Sequence, residues 1–496
     1  RLAEFHVRDA LQGAPLSEDL QHRATHLLVS GEGILAVDDD WQLLAEEIWQ
    51  QQCVSDSRQR AVALYELLRG LEFTAGDVAT LTAEDAQILL DVAASLDPLA
   101  RGQIWLQAYE RHYREELFGA LTANHGRHPA PGSVSAQVIM CMDDREEGTR
   151  RHLEEIAPSI ATYGAAGFFG VAMYWQGLDD PTRTALCPIV VRPEHLVREV
   201  ARDAALGEQH AKGREKRLRW RERLYQGTRN GVLAWPLQNV LAAPGALAGL
   251  LGNSLAPAWI GDAARRWRGQ NERPVATRLQ LTAEAASAPA SADRPRDGFD
   301  DNEQVDRVER FLRSIGLTQG FAPLVLFLGH GSGSRNNPHL SAYDCGACSG
   351  KHGGPNGRVF ATMANRPEVR AGLLARGLVI PASCWFVAAE HNTCDDSVEW
   401  YDLDLVPPEF ETALDTLVGQ LADACRAHAA ERCRRLASAP KSPSPWQGFE
   451  HVRGRANDIS QARPELGHAT NAAAFIGRRE MSRGLFLDRR VFLISY

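Results

Sequence analysis

The sequence predicts an α/β protein: a largely parallel sheet, preceded by a helical N-terminal region and interrupted by long insertions. Three observations carry this. Apolar residues recur at three- and four-residue intervals through positions 1 to about 124, the period of helices with one buried face. Two short apolar runs, Ala136-Gln-Val-Ile-Met-Cys141 and Pro323-Leu-Val-Leu-Phe-Leu328, have the length and composition of strands buried on both faces. A charged, helix-patterned stretch adjoins each run, the alternation that parallel pairing requires.

Taken in order, Trp41 to Trp49, Arg60 to Leu68, Leu81 to Ala93 and Gln103 to Leu121 carry the helical period. The Pro- and Gly-rich stretch His125 to Ser133 ends it, so residues 1–130 are expected to be a helical region. The strand over 136–141 follows, then a charged helix over Arg145 to Ile156. Thr162 to Tyr174, rich in aromatic, small and glycine residues, and Cys187-Pro-Ile-Val-Val191 suggest further strands. Residues 131–436 form the expected core, with an insertion around 205–303.

That insertion opens with Lys212, Arg214, Lys216, Arg217, Arg219, Arg221 and Arg223, then runs without charge from Asn230 to Gly261. Buried core helices are the simplest reading of the uncharged part. The order of the two parts also suits an anchor lying on a membrane or partner. Pro236, Pro244 and Pro257 argue against a spanning helix. Residues 283–303 read as a mobile Ala/Ser/Pro/Asp linker. Val305 to Ile315 resumes as a helix before the second buried strand, and a Pro/Ser linker spans about 437–446. Residues 437–496 are expected to continue the core. The chain starts without Met and stops on Phe492-Leu-Ile-Ser-Tyr496, a strand-like ending, so a fragment of a longer protein is expected.

Composition narrows the function. With 54 Lys and Arg against 63 Asp and Glu, the net charge of −9 disfavours a general nucleic-acid binder and is too small to imply disorder. Nine cysteines in a long chain are not the framework of a small secreted domain. They suit a reducing compartment with some thiolates serving a metal. The first twenty residues lack an apolar signal segment.

Both buried strands end in potential ligands. The first ends in Cys141-Met-Asp143-Asp-Arg145. The second ends in Gly329-His330-Gly, with Cys345-Gly-Ala-Cys348 starting fifteen residues beyond His330. Sites in open α/β sheets form at the carboxyl ends of strands, and residues two apart in a strand face the same way. Two thiolates, an imidazole and a carboxylate suit Zn²⁺. The carboxylate can leave for a water whose pKa then falls toward neutrality, and Arg145 can hold the released Asp143 through a bidentate pair. Ordinary readings stand beside this one. Cys141 can be a buried thiol, Asp143 and Arg145 a surface ion pair, and Cys345 and Cys348 a redox pair or half of a structural zinc site.

The Cys-x-Asp-x-Arg after one strand, with His and Cys after a later one, resembles the β-carbonic anhydrase zinc pattern. It departs in the His-to-Cys interval, which that family keeps much shorter. Cys141-Met-Asp-Asp-Arg-Glu-Glu147, Arg150-Arg-His-Leu-Glu154, Gly164-Ala-Ala-Gly-Phe-Phe-Gly170, Cys187-Pro with Arg192-Pro-Glu-His195, Tyr343-Asp-Cys-Gly-Ala-Cys-Ser-Gly350, Glu390-His-Asn-Thr393 and Asn471-Ala-Ala-Ala-Phe-Ile476 look like the DabA family.

That resemblance implies a β-carbonic-anhydrase-like fold and a zinc site on Cys141, Asp143, His330 and Cys345, with Asp143 and Arg145 as a catalytic dyad. It implies a subunit of a bacterial inorganic-carbon uptake system, peripheral on the cytoplasmic side of the inner membrane. Its partner would be an ion-conducting, complex-I-like membrane subunit, DabB. The expected chemistry is energy-coupled hydration of CO₂ to bicarbonate by zinc hydroxide, with Phe168, Phe169 and Val171 as the dry wall of the CO₂ site and Asp143 as the gate. Asp144 departs from the family's frequent apolar residue there, and an acid in that place would compete for Arg145.

Further residues have two readings each. Glu147 is either a group near the zinc or a helix-start acid favoured by the macrodipole. His391, Asn392 and Asp395 either orient a ligand or satisfy their own loop. Cys348 supports the site or is inert, and His339 and His352 read as loop residues. Three other functions compete: a zinc hydrolase of another class, a non-enzymatic assembly subunit with structural zinc, and a redox role for Cys345 and Cys348.

Overall fold

The computed structural model describes residues 2–13, 16–30, 38–128, 132–230, 234–257, 259–260, 263, 275–283, 289–337, 343–465 and 467–496. The chain forms two compact units, Arg1–Glu115 and Glu116–Tyr496. The first is helical: α1 (Leu2–Gly13), α2 (Glu18–Ser30), α3 (Asp38–Gly70), α4 (Ala75–Thr80), α5 (Ala83–Ser95) and most of α6 (Pro98–Asn124). Val7, Ala10, Leu20, Ala24, Trp41, Leu44 and Ile48 of the first three helices share a small core. The stretches Trp41–Trp49 and Arg60–Leu68 belong to one helix, α3. Capping boxes fix the next two starts, Thr74 with Asp77 and Thr82 with Asp85.

The second unit holds β1 (Ala136–Cys141), α7 (Glu147–Ile156), β2 (Ile160–Ala165), β3 (Met173–Gln176), β4 (Thr184–Leu186), β5 (His195–Ala201), α8 (Ala204–Asn230), α9 (Ala234–Leu255), β6 (Thr277–Gln280), β7 (Arg296–Asp297), α10 (Asp301–Ser314) and β8 (Leu324–Gly331). There follow α11 (Gly354–Asn365), α12 (Pro367–Ala375), β9 (Trp385–Asn392), β10 (Ser397–Tyr401), α13 (Pro408–Arg432), α14 (Pro445–Asn457), β11 (Ala473–Gly477) and β12 (Val491–Ser495). Seven strands form one sheet in the order β10-β9-β8-β1-β2-β12-β11, and β4-β3-β5-β6 with β7 on β5 form a second.

The larger sheet is mixed but mainly parallel. β1 pairs in parallel with β2 and β8, β8 with β9, and β11 with β12; β9–β10 and β2–β12 are antiparallel. Strands β1 and β8 read as unbroken apolar runs because both of their faces are buried. Ile139, Val325 and Phe327 pack on one side with Phe311 and Phe360. Val138, Met140, Leu324, Leu326 and Leu328 pack on the other with Leu153, Leu414, Leu417 and Leu421. The period-two alternation of a strand sorts these residues between two helical layers.

Several expectations are corrected. Residues 187–191 make a turn, in which Val191 N donates to Pro188 O. Pro188 has no donor for a ladder, and Ile189 and Val190 are 89% and 88% exposed. Within 283–303, residues 284–288 lie outside the described residues. The rest includes β7, and Asp300 caps α10 in a capping box with Glu303, so this part is paired structure rather than a free linker. The uncharged stretch is helical in α9, but its described residues are exposed rather than core.

Candidate metal centre

Parallel pairing of β1 with β8 brings the carboxyl ends of both strands to one edge. Cys141 ends β1, and His330 sits one residue before the end of β8. The loop beyond β8 returns to this edge. Gly353 N donates to His330 O at 2.9 Å, and a Cβ on Gly329 would lie 2.4 Å from the backbone of Gly353, so only glycine allows that approach. The loop delivers Cys345. The ligand atoms of Cys141, His330 and Cys345 all lie within 4.8 Å of one another, with the two sulfurs 4.0 Å apart.

All three side chains are buried, and neither ring nitrogen of His330 has a hydrogen-bond partner. A buried imidazole with two orphaned nitrogens is costly unless a cation takes one. Two thiols and one imidazole are the donor chemistry of zinc, so the residues fit such an ion. Gly167 seals the sulfurs from the other side: a Cβ there would lie 2.7 Å from Cys345 Sγ and 3.0 Å from Cys141 Sγ. The neighbouring Cys345 thiol and burial push the Cys141 thiol well up. Burial opposes a charge on His330, but Asp143 and Cys141 outweigh it and raise the imidazole to about 9. Binding a cation therefore displaces protons.

Asp143 faces Arg145. The guanidinium donates from Nε to Asp143 Oδ1 at 2.8 Å and from Nη2 to Oδ2 at 2.9 Å, a fork-to-fork pair. Arg145 also donates to the carbonyls of Asp344, at 3.0 Å, and Tyr343, and Glu465 lies 3.6 Å away. Burial works against the Asp143 charge, yet His330 and Arg145 hold its carboxyl far below the usual range. Its Oδ2 stands 3.4 Å from His330 Nε2. Three of the four expected ligands thus converge, and the fourth stands beside them on its arginine.

Asp144 does not take Arg145. Its Oδ1 pairs with His468 Nδ1 at 2.7 Å, and its Oδ2 has no partner. His468 Nε2 is 3.5 Å from Asp143 Oδ2, and the histidine side chain is 41% exposed. His468 therefore links the Asp143 side of the centre to solvent.

Behind the turn that carries Asp143 lies a buried ionic network. Glu146 meets His391 Nδ1 at 2.9 Å, and His391 Nε2 meets Asp396 at 3.2 Å. Asp396 also accepts from Arg432 at 2.6 Å and meets His428 at 2.9 Å. Burial alone would neutralise His391, but Glu146 and Asp396 hold it cationic. Burial pushes His428 down to about 4. His391 thus positions the turn through Glu146 rather than facing a ligand.

The other expected residues divide. Asn392 accepts from Cys394 N in its own loop and from Gly333 N of the loop after β8, and Asp395 accepts from Ser397 in its own loop. Glu147 accepts from Arg489 N at 2.9 Å and from Arg151, which ties down the C-terminal segment away from the cysteines. Cys348 packs with Cys141 and Cys345, its sulfur 3.7 Å from Asn356 Oδ1. His352 is half exposed and pairs with Glu390 at 2.6 Å; His339 lies outside the described residues. Of the expected apolar wall, Phe168 packs on the cysteines. Phe169 and Val171 turn into the main core instead, Phe169 against Phe311 and Phe327.

Sequence reasoning missed Glu146, Asp396, His428, Arg432 and His468. The first four are joined only by tertiary packing, and His468 has no local pattern. The sole local signal was for Gly167, inside a stretch already singled out for its glycines.

A family model described as probable inorganic carbon transporter subunit DabA matches residues 33–496. Curated relatives with that description include one from Dechloromonas aromatica, 64% identical over all of this chain and 49% of the relative. One from Methylococcus capsulatus is 51% identical over all of this chain and 47% of the relative. One from Nitrosococcus oceani is 44% identical over all of this chain and 45% of the relative. This chain spans about half the length of these relatives. No solved structure matches. With the model matching most of the chain and relatives aligned along its whole length, the chain belongs to the DabA family, described as probable inorganic carbon transporter subunits.

Proposed function

We propose that this chain carries the zinc centre of an energy-coupled inorganic carbon uptake complex and hydrates CO₂ to bicarbonate there. The observation that carries this is the buried group Cys141, His330 and Cys345 beside an Asp143 that Arg145 holds by both oxygens. In this reading the two cysteines and the histidine hold zinc, and Asp143 is the fourth ligand in a closed state. Zinc with one position free of protein ligands supplies the Lewis acidity that lowers the pKa of water toward neutrality.

The chain's own residues do the rest. Arg145 takes both Asp143 oxygens and keeps that carboxylate ionised, so Cys141, His330 and Cys345 would hold the zinc while Asp143 stays on its arginine. Asp143, its Oδ2 3.4 Å from His330 Nε2, stands beside the group that would hold the zinc and would serve as its fourth ligand once released by Arg145. Phe168, Met142 and Ala347 pack beside the cysteines and give an apolar wall suited to an uncharged gas. Glu146, tied to His391, fixes the turn so that Asp143 and Arg145 keep their geometry. Asp143 bound by both oxygens to Arg145, beside three converging donors, would let a zinc there bind through three protein ligands, the catalytic pattern, which favours chemistry over an assembly role. The β-carbonic-anhydrase-like character, a DabB-type ion-conducting partner and a peripheral place on the cytoplasmic side of the inner membrane are part of this reading and rest on family membership.

The test uses the full-length protein with its membrane partner in a host that lacks carbonic anhydrase. Asp143→Ala is expected to abolish carbon uptake while zinc content stays near wild type. Uptake left intact would remove Asp143 from the mechanism.

A further inference from the structure

Among the described residues, an uncharged apolar helix is left uncovered. Helix α9 lies in the stretch Asn230 to Gly261, which has no charged residue, and Val240, Leu241, Leu247, Leu250, Leu251 and Leu255 are each half exposed or more. At 100° per residue these large side chains share one half of the helix, and from Val240 to Leu255 the opposite half is Gly, Ala and Asn. An exposed apolar surface of this kind marks an interaction site.

Helix α8, which packs against α9, has the complementary character. Between Lys212 and Arg223 it carries seven basic residues against Glu215 and Glu222, with Glu215 paired to Arg219, and the apolar Leu218, Trp220 and Leu224 among and beside them are exposed. The chain as a whole is acidic, at −9, so this positive charge is a local feature. The hairpin is tied down at both ends. His210 Nε2 meets Asp179 at 3.0 Å, Arg214 donates to Asp179 O at 2.7 Å, and Arg335 donates to Asn253 Oδ1 at 2.5 Å. The large apolar half of α9 is therefore held outward. Among the described residues no helix is long and apolar enough to cross a membrane, and Pro244 interrupts α9.

We propose that the α8–α9 hairpin is a lipid-binding element. Its apolar half lies at the boundary of headgroups and acyl chains in a bilayer containing anionic lipids, and the α8 cations lie on the lipid phosphates. An apolar half-cylinder beside a basic helix, too short and interrupted to span, is the pattern of an element lying in the interface. Each Lys or Arg near an anionic surface adds attraction, and the attraction fades with salt. The proposal rests on the peripheral-membrane part of the function above and not on its zinc chemistry.

The test is co-sedimentation of the purified full-length protein with phosphatidylcholine vesicles that contain or lack phosphatidylglycerol. Binding is expected only to the anionic vesicles, weakening as salt rises. The exposed double substitutions Leu247→Glu with Leu251→Glu, and Arg219→Glu with Arg223→Glu, are each expected to weaken it about tenfold or more. Zinc content should stay unchanged in both variants, which separates failure of this proposal from failure of the metal site. Absence of binding to anionic vesicles, or equal binding by wild type and both variants, would overturn the proposal. So would a wild-type protein that ignores vesicles but, when Leu247 and Leu251 are changed, loses self-association or its complex with a purified membrane subunit.

Discussion

Replacing Arg145 with Met isolates the hold on Asp143. The guanidinium is buried, with its side chain 2% exposed, and it forms both charged hydrogen bonds to an Asp143 carboxylate that is 4% exposed. It also satisfies the carbonyls of Tyr343 and Asp344. Glu465, by contrast, keeps other partners in Arg463 and Ser332. The main loss is therefore one buried carboxylate left without its counter-charge, about 3–5 kcal/mol. That penalty applies to the metal-free protein. In the zinc-loaded protein the released Asp143 has a cation within reach, so the loss should be smaller by about 1–3 kcal/mol, the scale of a charge-assisted bond regained. Urea unfolding of both forms measures the two penalties, and cobalt substitution reports whether a fourth protein ligand has joined. Arg145→Lys keeps the charge but loses the fork and should fall between Met and wild type. A metal-free Arg145→Met protein within about 1 kcal/mol of wild type would refute the burial argument. Equal penalties with and without zinc would refute the link between Asp143 and the metal.

Two further predictions concern the site's wall and a distant ion pair. Gly167→Ala places a methyl group 2.7 Å from Cys345 Sγ and should spread the sulfurs, weakening zinc binding about 10–100-fold; competition with a chromogenic chelator measures this, and an unchanged affinity contradicts the close packing. Glu431 resists the upward pull of burial because His152 and Arg151 lower it to about 2. A depressed carboxylate contributes stability in full above its unfolded value of 4.5 and loses it as pH falls toward 2. At about 1.4 kcal/mol per unit, Glu431→Gln should cost about 2–3 kcal/mol at pH 7, with the difference from wild type shrinking below about pH 4.5. A difference that stays constant with pH would contradict the ion pairing.

Much of the larger sheet and two of its end residues were legible because the controlling physics is local. Strands β1 and β8 are buried on both faces, so their apolar runs stand out, and Cys141 and His330 fall at or next to their carboxyl ends. Local reading failed where the decisive neighbour is remote. Ile189, Val190 and Val191 look like strand residues, but Pro188 cannot donate to a ladder, and the segment turns outward. An absence of charge in α9 says only that water is unwelcome there; it cannot distinguish a core helix from one awaiting another surface. His428 and Arg432 sit one turn apart on α13, an unremarkable spacing until Asp396 is folded against them. Asp144 was expected to compete for Arg145, and only the fold could bring His468 to it from the C-terminal segment.

The most direct test of the account is elemental analysis of metal in the purified, reduced, chelator-free full-length protein beside Cys345→Ala and His330→Ala variants. The account predicts about one zinc per wild-type chain and little or none in either variant. A folded wild-type protein without zinc, or variants that keep it, would contradict the metal centre.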